Sequence, residues 1–196
     1  NGKLMALKPD VTLSIIRNTK DRAECVSKVY YNENVYRVSS SAKAYREIMQ
    51  TGLECIGNID AFCVLEVISL AAKSLRMISG NSVLSISFPM IAQSLAEEAG
   101  LAGAALSEAL SLAAEKNLHE LSRLMEGCGC AQDAAERLIK LIETDGKPED
   151  VIPVLKGLKL PGSSLDELCS VYEGLSAIGL SDMLRFDFSA DCGTRS

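Results

Sequence analysis

Gln50-Thr51-Gly52-Leu53-Glu54 is the stretch on which the reading of this chain turns. Strand side chains alternate with period two, so Gln50, Gly52 and Glu54 share one face. Four residues of strand set the amide and the carboxylate about 13 Å apart, at roughly 3.3 Å per residue. The residue between them has no side chain. An amide and a carboxylate flanking bare backbone suit a small, polar, amine-bearing ligand lying across the strand. An ordinary solvent-facing strand with a glycine bulge fits the same five residues, and the stretch alone does not choose.

The surrounding 196 residues are long enough to bury a core, as one domain or a small pair. Hydrophobic content of 47% against 23% charged is that of a soluble globular chain and excludes a disordered one. The net charge of −6 supplies no overall basic footprint for nucleic acid. No apolar run approaches the roughly 20 residues that cross a bilayer, and no signal-like segment opens the sequence. A membrane is therefore not an expected partner, and the expected location is cytoplasmic. The opening, Asn1 to Leu7, reads as a turn entering a strand.

The seven cysteines (25, 55, 63, 128, 130, 169 and 192) are odd in number and sit mostly in apolar periodic segments, which favours reduced thiols. Cys128-Gly129-Cys130 lacks the C-x-x-C spacing of zinc and thioredoxin-type sites, so it reads as a helix end. The single histidine, His119, reads as a solvated helix residue. No metal ligand set and no cofactor motif emerges.

The pattern changes near residue 80. Before it, Val29 to Val38 and Leu53 to Ile56 carry the residues of strands, with Asn32-Glu33-Asn34 as a turn interrupting the first. Ser39 to Ala44 reads as a mobile loop. Leu65, Ile68, Ala72, Leu75 and Ile78 keep a helical rhythm over 61–79, with Asp60 as N-cap and Gly80 as stop. Val83 to Phe88 alternates as a strand, and Pro89 opens a helix closed by Gly100. Helices follow over about 104–116, 118–126, 131–143 and 148–158, then one capped by Ser163 or Ser164 and running to Ile178. From Met183 to Ser189, Leu184, Phe186 and Phe188 face a core while Arg185, Asp187 and Ser189 face away. The organisation is an α+β fold: a sheet portion with its helix (1–88), a mainly helical insertion (89–178) and a returning core strand (179–196).

Three polar clusters lie in the sheet portion. Leu7-Lys-Pro-Asp-Val-Thr12, followed by Arg17, projects Asp10 and Thr12 together if extended, as Pro9 encourages. Arg37 follows Tyr36, and Gln50 and Glu54 complete the set. Two carboxylates, a hydroxyl, a guanidinium and an amide suffice for a zwitterionic amino acid: the acids take its ammonium, Arg37 its carboxylate or a phosphate.

In this order, the clusters resemble the core of histidyl-tRNA synthetase and its non-aminoacylating paralogue, the regulatory subunit of ATP phosphoribosyltransferase. Leu7 to Thr12 resembles the family's Leu-Arg-Pro-Asp/Glu-x-Thr segment, and Tyr36-Arg37 the start of the second class-defining motif of class II synthetases. Gln50 to Glu54 resembles the strand that closes that motif. The resemblance implies a class II aminoacyl-tRNA synthetase-like antiparallel sheet flanked by helices, with a helical insertion. It places histidine contacts on Asp10, Thr12, Gln50 and Glu54, with Arg37 at the arginine that meets the activated carboxylate and ATP. It also implies that the N- and C-terminal parts of the full domain are absent here.

The departures point towards the regulatory relative. Ser39 stands where the synthetase has an adenine-binding glutamate, the following loop offers only Lys43 and then Arg46, and the Arg-rich histidine-specific segment is not seen, Thr194-Arg195-Ser196 lying near where that region is expected to begin. The run Leu112 to Leu118 also resembles the regulatory insertion. The resemblance thus implies a subunit without catalytic residues that binds histidine and the short-form catalytic ATP phosphoribosyltransferase subunit. It implies a homodimer within a hetero-oligomer, with no tRNA partner. A synthetase core activating histidine with ATP, and a paralogue with another ligand or an architectural role, are the alternatives.

Overall fold

The β-branched and aromatic residues of 27–38 pair with those of 45–56 to make the longest strands of the chain. The computed structural model describes residues 7–19, 25–38, 44–160 and 164–189. The expected opening turn, the Ser39 to Lys43 loop, Cys192, the C-terminal tripeptide and the Ser163 or Ser164 cap fall outside the described residues and side chains. The contacts divide the chain into two units, Asn1–Ala71 and Ala72–Ser196.

In the first unit, helix α1 (Thr12–Asn18) precedes strands β1 (Ser27–Val38) and β2 (Tyr45–Ile56), which form an antiparallel hairpin. Asn32-Glu33-Asn34 is strand and not the expected turn. These residues pair with Thr51, Gln50 and Met49, and the Thr51 hydroxyl donates to Asn32 Oδ1 at 3.1 Å. Cross-strand contacts outweigh the weak strand propensity of asparagine. Helix α2 (Ala61–Ile78) starts as predicted, with the Asp60 carboxylate accepting the Cys63 amide at 2.8 Å. Lys28 pairs with Glu66 of α2, so this helix lies on the hairpin face opposite Gln50 and Glu54. Ile78, the last residue of the expected apolar stripe, is 82% exposed.

In the second unit, strands β3 (Leu84–Ile86), β4 (Asp145–Gly146) and β5 (Leu184–Asp187) form a sheet in the order β3-β5-β4. The β3–β5 pair is parallel and the β4–β5 pair antiparallel. The strands expected over 83–88 and 183–189 are shorter than their alternation suggested. Met183 belongs to a 3-10 turn (Ser181–Met183), and Ser189 is buried because its hydroxyl and amide both bond Asp187 Oδ1. The two-residue β4 carries no periodicity and was not anticipated.

Helices α3 (Pro89–Glu98), α4 (Gly103–Ala114), α5 (Leu118–Gly127), α6 (Gln132–Glu143), α7 (Pro148–Gly157) and α8 (Ser164–Ala177) follow the predicted sequence. Gly100, at φ +100°, supplies the left-handed residue after α3. Ile91 and Leu95 of α3 and Leu138, Leu141 and Ile142 of α6 are fully buried, so the two apolar stripes close on each other. Arg137 of α6 reinforces the contact by donating to Glu98 at 2.5 Å. Phe186 anchors the sheet, its ring 6.3 Å from Phe88 and 6.5 Å from Phe188.

Phe186→Ala removes a side chain with no exposed surface. It is expected to lower unfolding stability by about 3–5 kcal/mol in urea titrations followed by circular dichroism; a loss below about 1 kcal/mol would show a loosely packed sheet. Lys116 lies 3.0 Å from Asp145 and 3.6 Å from Asp187, and its hydrogen bond holds the Asp145 carboxyl below the usual range. Burial pushes Asp187 upward, but the Ser189 hydrogen bonds and Lys116 outweigh it and leave it lowered. Both folded values lie below the unfolded one, so their stabilisation is complete above about pH 4 and is lost as pH falls through the folded values. Asp145→Asn is expected to flatten the acid limb of the urea midpoint against pH; an unchanged limb would remove Asp145 from the account.

Candidate functional site

The residues that lead into β1 build the site. Pro9 and Asp10 precede a bend at Val11, after which Thr12 opens α1. The expected extended run through Thr12 therefore ends two residues early. The cause is local: the Asp10 carboxylate accepts the Leu13 amide at 3.2 Å, satisfying one unpaired donor of the first helical turn. Val11 and Ile15, one turn apart, pack on Tyr31 and Val35 of β1. Lys8 ties the segment to β1 as well, its carbonyl accepting the Tyr36 amide and its ammonium meeting Glu33, both at 2.8 Å. That ion pair holds the Glu33 carboxyl below its ordinary range.

This docking carries Thr12 onto β2. Its hydroxyl donates to Glu54 Oε1 at 2.5 Å, a short charge-assisted bond between residues 42 apart. Thr12 and Glu54 are thus brought together, as are Gln50 and a residue that sequence reasoning missed. Gln50 Nε2 donates to the Tyr31 hydroxyl at 3.1 Å. Gln50 Oε1 is closed to solvent and has no hydrogen-bond partner among the described residues, an arrangement that costs about 1–3 kcal/mol.

Tyr31 also corrects the picture of Gly52. The two residues are register partners, and a Cβ on Gly52 would lie 2.2 Å from Tyr31 Cζ and 2.3 Å from its hydroxyl oxygen. The glycine makes room for a phenol ring that lies across the strand, so the patch of backbone is not bare. The signal was legible in principle: with a hairpin tip between 38 and 45, residues whose numbers sum to 83 stand opposite each other, as Tyr31 and Gly52 do.

Two predicted residues stand apart. The Asp10 carboxylate caps α1, and Asp10 lines a hollow of about 470 Å³ with Pro9, Leu13 and Arg17. Arg37 is exposed and pairs in register with Arg46, four strand residues or about 13 Å from Gln50. Beside it, a hydrogen bond to Glu47 holds the Tyr36 phenol above its usual range. A wider cleft of about 900 Å³ runs between Ser14, Ile15 and Asn18 of α1, the following Thr19, and Val29 and Ile56 of the hairpin. None of Thr12, Gln50 and Glu54 lines it.

Elsewhere, His119 is exposed near the start of α5, and Cys128 and Cys130 carry free thiols after its end. Burial, then the neighbouring Cys128, pushes the Cys130 thiol up. Among the described residues, no group of three histidines, cysteines or carboxylates is placed to hold a metal, and no helix is long and apolar enough to cross a membrane.

The architecture is that of class II aminoacyl-tRNA synthetases and their relatives. It aligns over 96% of this chain, with a TM-score of 0.69 and 22% identity, with a chain of the ATP phosphoribosyl transferase (HisG:HisZ) complex from Thermotoga maritima, covering 66% of that chain. The chain belongs to the histidyl-tRNA synthetase family, whose model matches residues 1–195. It is 27% identical to the histidine–tRNA ligase of Pyrococcus horikoshii over 95% of its length, covering 45% of that relative. It is 26% identical to the ATP phosphoribosyltransferase regulatory subunit of Desulforamulus reducens, again over 95%, covering 48%. The chain thus spans about half the length of these relatives.

Gly52→Ala is expected to displace the Tyr31 ring and to destabilise the hairpin by about 1–3 kcal/mol, the usual cost of overpacking. Chemical unfolding together with tyrosine fluorescence reads both effects. A variant as stable as the parent would mean that the ring does not need the glycine.

Proposed function

We propose that this chain is the histidine-sensing part of a regulatory subunit of ATP phosphoribosyltransferase, a cytoplasmic protein with no chemistry of its own. In this reading it binds histidine and the short-form catalytic subunit, as a homodimer within a hetero-oligomer. The observation that carries the proposal is a contrast along one face of the hairpin. At one end, Thr12, Glu54, Gln50 and Tyr31 are drawn into short-range hydrogen bonds, which suits a pocket that holds an amino acid in a fixed pose. At the other end Arg37 is exposed opposite Arg46, and Ser39 stands where the synthetase resemblance expects the adenine-binding acid. A pocket that retains the amino-acid groups and lacks the nucleotide-orienting acid suits sensing better than activation.

The roles differ by residue. Glu54, oriented by Thr12, takes one positively charged or N–H end of the ligand, and Gln50 lies about 13 Å along the strand to take the other. Asp10 contributes negative potential from the start of α1, and Arg37 faces the ligand's carboxylate side. Feedback then requires histidine to favour one assembly state, because a ligand with equal affinity for both shifts nothing. Each tenfold ratio of affinities supplies about 1.4 kcal/mol of that bias.

The second reading, a synthetase core that activates histidine with ATP, is favoured by the 27% identity to the Pyrococcus horikoshii ligase, as high as that to the regulatory subunit. Two measurements separate them. Calorimetry is expected to show saturable histidine binding that Glu54→Ala weakens by at least tenfold; undiminished binding in the variant would remove the pocket assignment. Histidine-dependent ATP–pyrophosphate exchange is expected to be absent, and its detection would overturn the regulatory reading.

A further inference from the structure

We propose that Cys128-Gly129-Cys130 is a dithiol modification site, which closes into an intramolecular disulfide by exchange with a small disulfide of the glutathione class. The proposal stands on the second unit alone and is independent of the histidine reading.

The pair sits where α5 ends and the chain is pinned on both sides. The Gly129 amide donates to the Glu126 carbonyl and the Cys130 amide to the Met125 carbonyl, each at 3.0 Å. The Ala131 amide donates to the carbonyl of Ala99, just after α3, at 3.3 Å. Gly129, at φ +69°, is the left-handed residue that lets the helix close in this way. The same turn draws the cysteines together. In left-handed helical dihedrals, as in their right-handed mirror, residues two apart stand about 5.4 Å between Cα atoms. That span lies well inside the roughly 4.4–6.8 Å that a disulfide bridges, whereas an extended central residue gives about 6.6 Å, at the limit. A spacing that suits neither zinc nor a thioredoxin-type site therefore suits a direct bridge once the glycine is left-handed.

The two thiols differ in access. Cys128 is exposed and Cys130 half-buried, and both are free. Burial, then the neighbouring Cys128, pushes the Cys130 thiol up, so Cys128 is the thiol that a dissolved oxidant meets first. Its thiolate attacks one sulfur of the small disulfide, forming a mixed disulfide and releasing one thiolate. Cys130 then gives up its proton and attacks Cys128 Sγ, expelling the second thiolate. Two protein thiols are oxidised, one small disulfide is reduced to two thiols, and the protons lost by the cysteines end on those thiols. The bridge spans a single residue and faces solvent, the character of a labile disulfide rather than a structural one.

Trypsin cuts after Arg123 and Arg137 and releases residues 124–137 as one peptide, which holds Cys128 and Cys130 and no other cysteine. The full chain is incubated with glutathione disulfide, alkylated, digested without reductant and read by mass spectrometry. This peptide is expected to escape alkylation and to weigh about 2 Da less than its reduced form, and excess reduced glutathione is expected to reopen it. Cys130→Ser is expected to stop at a glutathione adduct about 305 Da heavier, and Cys128→Ser to react at least tenfold more slowly. Full alkylation of both cysteines, lasting glutathione adducts on both, or a link between two copies of the peptide in place of the internal bridge overturns the proposal. Equal rates in the two serine variants overturn the order of attack. The parent chain carries the deciding measurement, so a serine variant that fails to fold does not remove the test.

Discussion

One contact organises the first unit: the Tyr31 ring lying across Gly52. A tyrosine can occupy that space only because its register partner lacks a Cβ, and once there it does two unrelated jobs. Its apolar body completes the small cluster with Val11, Val35 and Ile15 that docks α1 on the hairpin. Its hydroxyl fixes Gln50. With α1 docked, Thr12 reaches Glu54, so the polar constellation on β2 depends on an apolar contact made on β1. The dependence is physical: hydrogen bonds contribute modestly once groups have been brought together, whereas burial supplies most of the force that brings them.

The polar groups on this face are placed by different means, and the means decide what each is suited to do. Thr12 and Glu54 are joined by a short bond through one carboxylate oxygen. Asp10 spends one carboxylate oxygen on the Leu13 amide at the start of α1. Arg37 lies on an exposed stretch of β1, in register with a second arginine, Arg46. Under the proposed reading, a face tied by hydrogen bonds at one end and exposed at the other suits recognition better than catalysis, since catalysis needs the reacting groups themselves held in place.

Much of the fold was legible in the sequence where periodicity was long. The helices α2 to α8 appear within a few residues of their expected bounds, because a helical stripe of three or more turns is a repeated local signal. Short elements were not legible. The single-turn pairing of Val11 and Ile15 is too brief a signal to mark α1, Pro9 suggests an extended run only up to Thr12, and β4, two residues long, carries no pattern at all. Asn32-Glu33-Asn34 looked like a turn because propensity is local, and it became strand because its partners on β2 are not. Among the candidate residues, Thr12, Gln50 and Glu54 could be named from type and spacing, whereas Tyr31 needed the register of the hairpin, which sets it opposite Gly52.

By itself, the sequence determined the class of the fold, the order of its helices, the family to which it belongs and the strand face shared by Gln50, Gly52 and Glu54. Each of these follows from composition, period or motif, which are properties of neighbouring residues. Only the tertiary structure decided what lies over that face. Whether Gly52 is bare or covered depends on the register of two strands, and whether Thr12 meets Glu54 depends on where a seven-residue helix packs. Both are set by contacts between residues 21 and 42 positions apart, where sequence patterns carry no distance information and side-chain volume makes the choice.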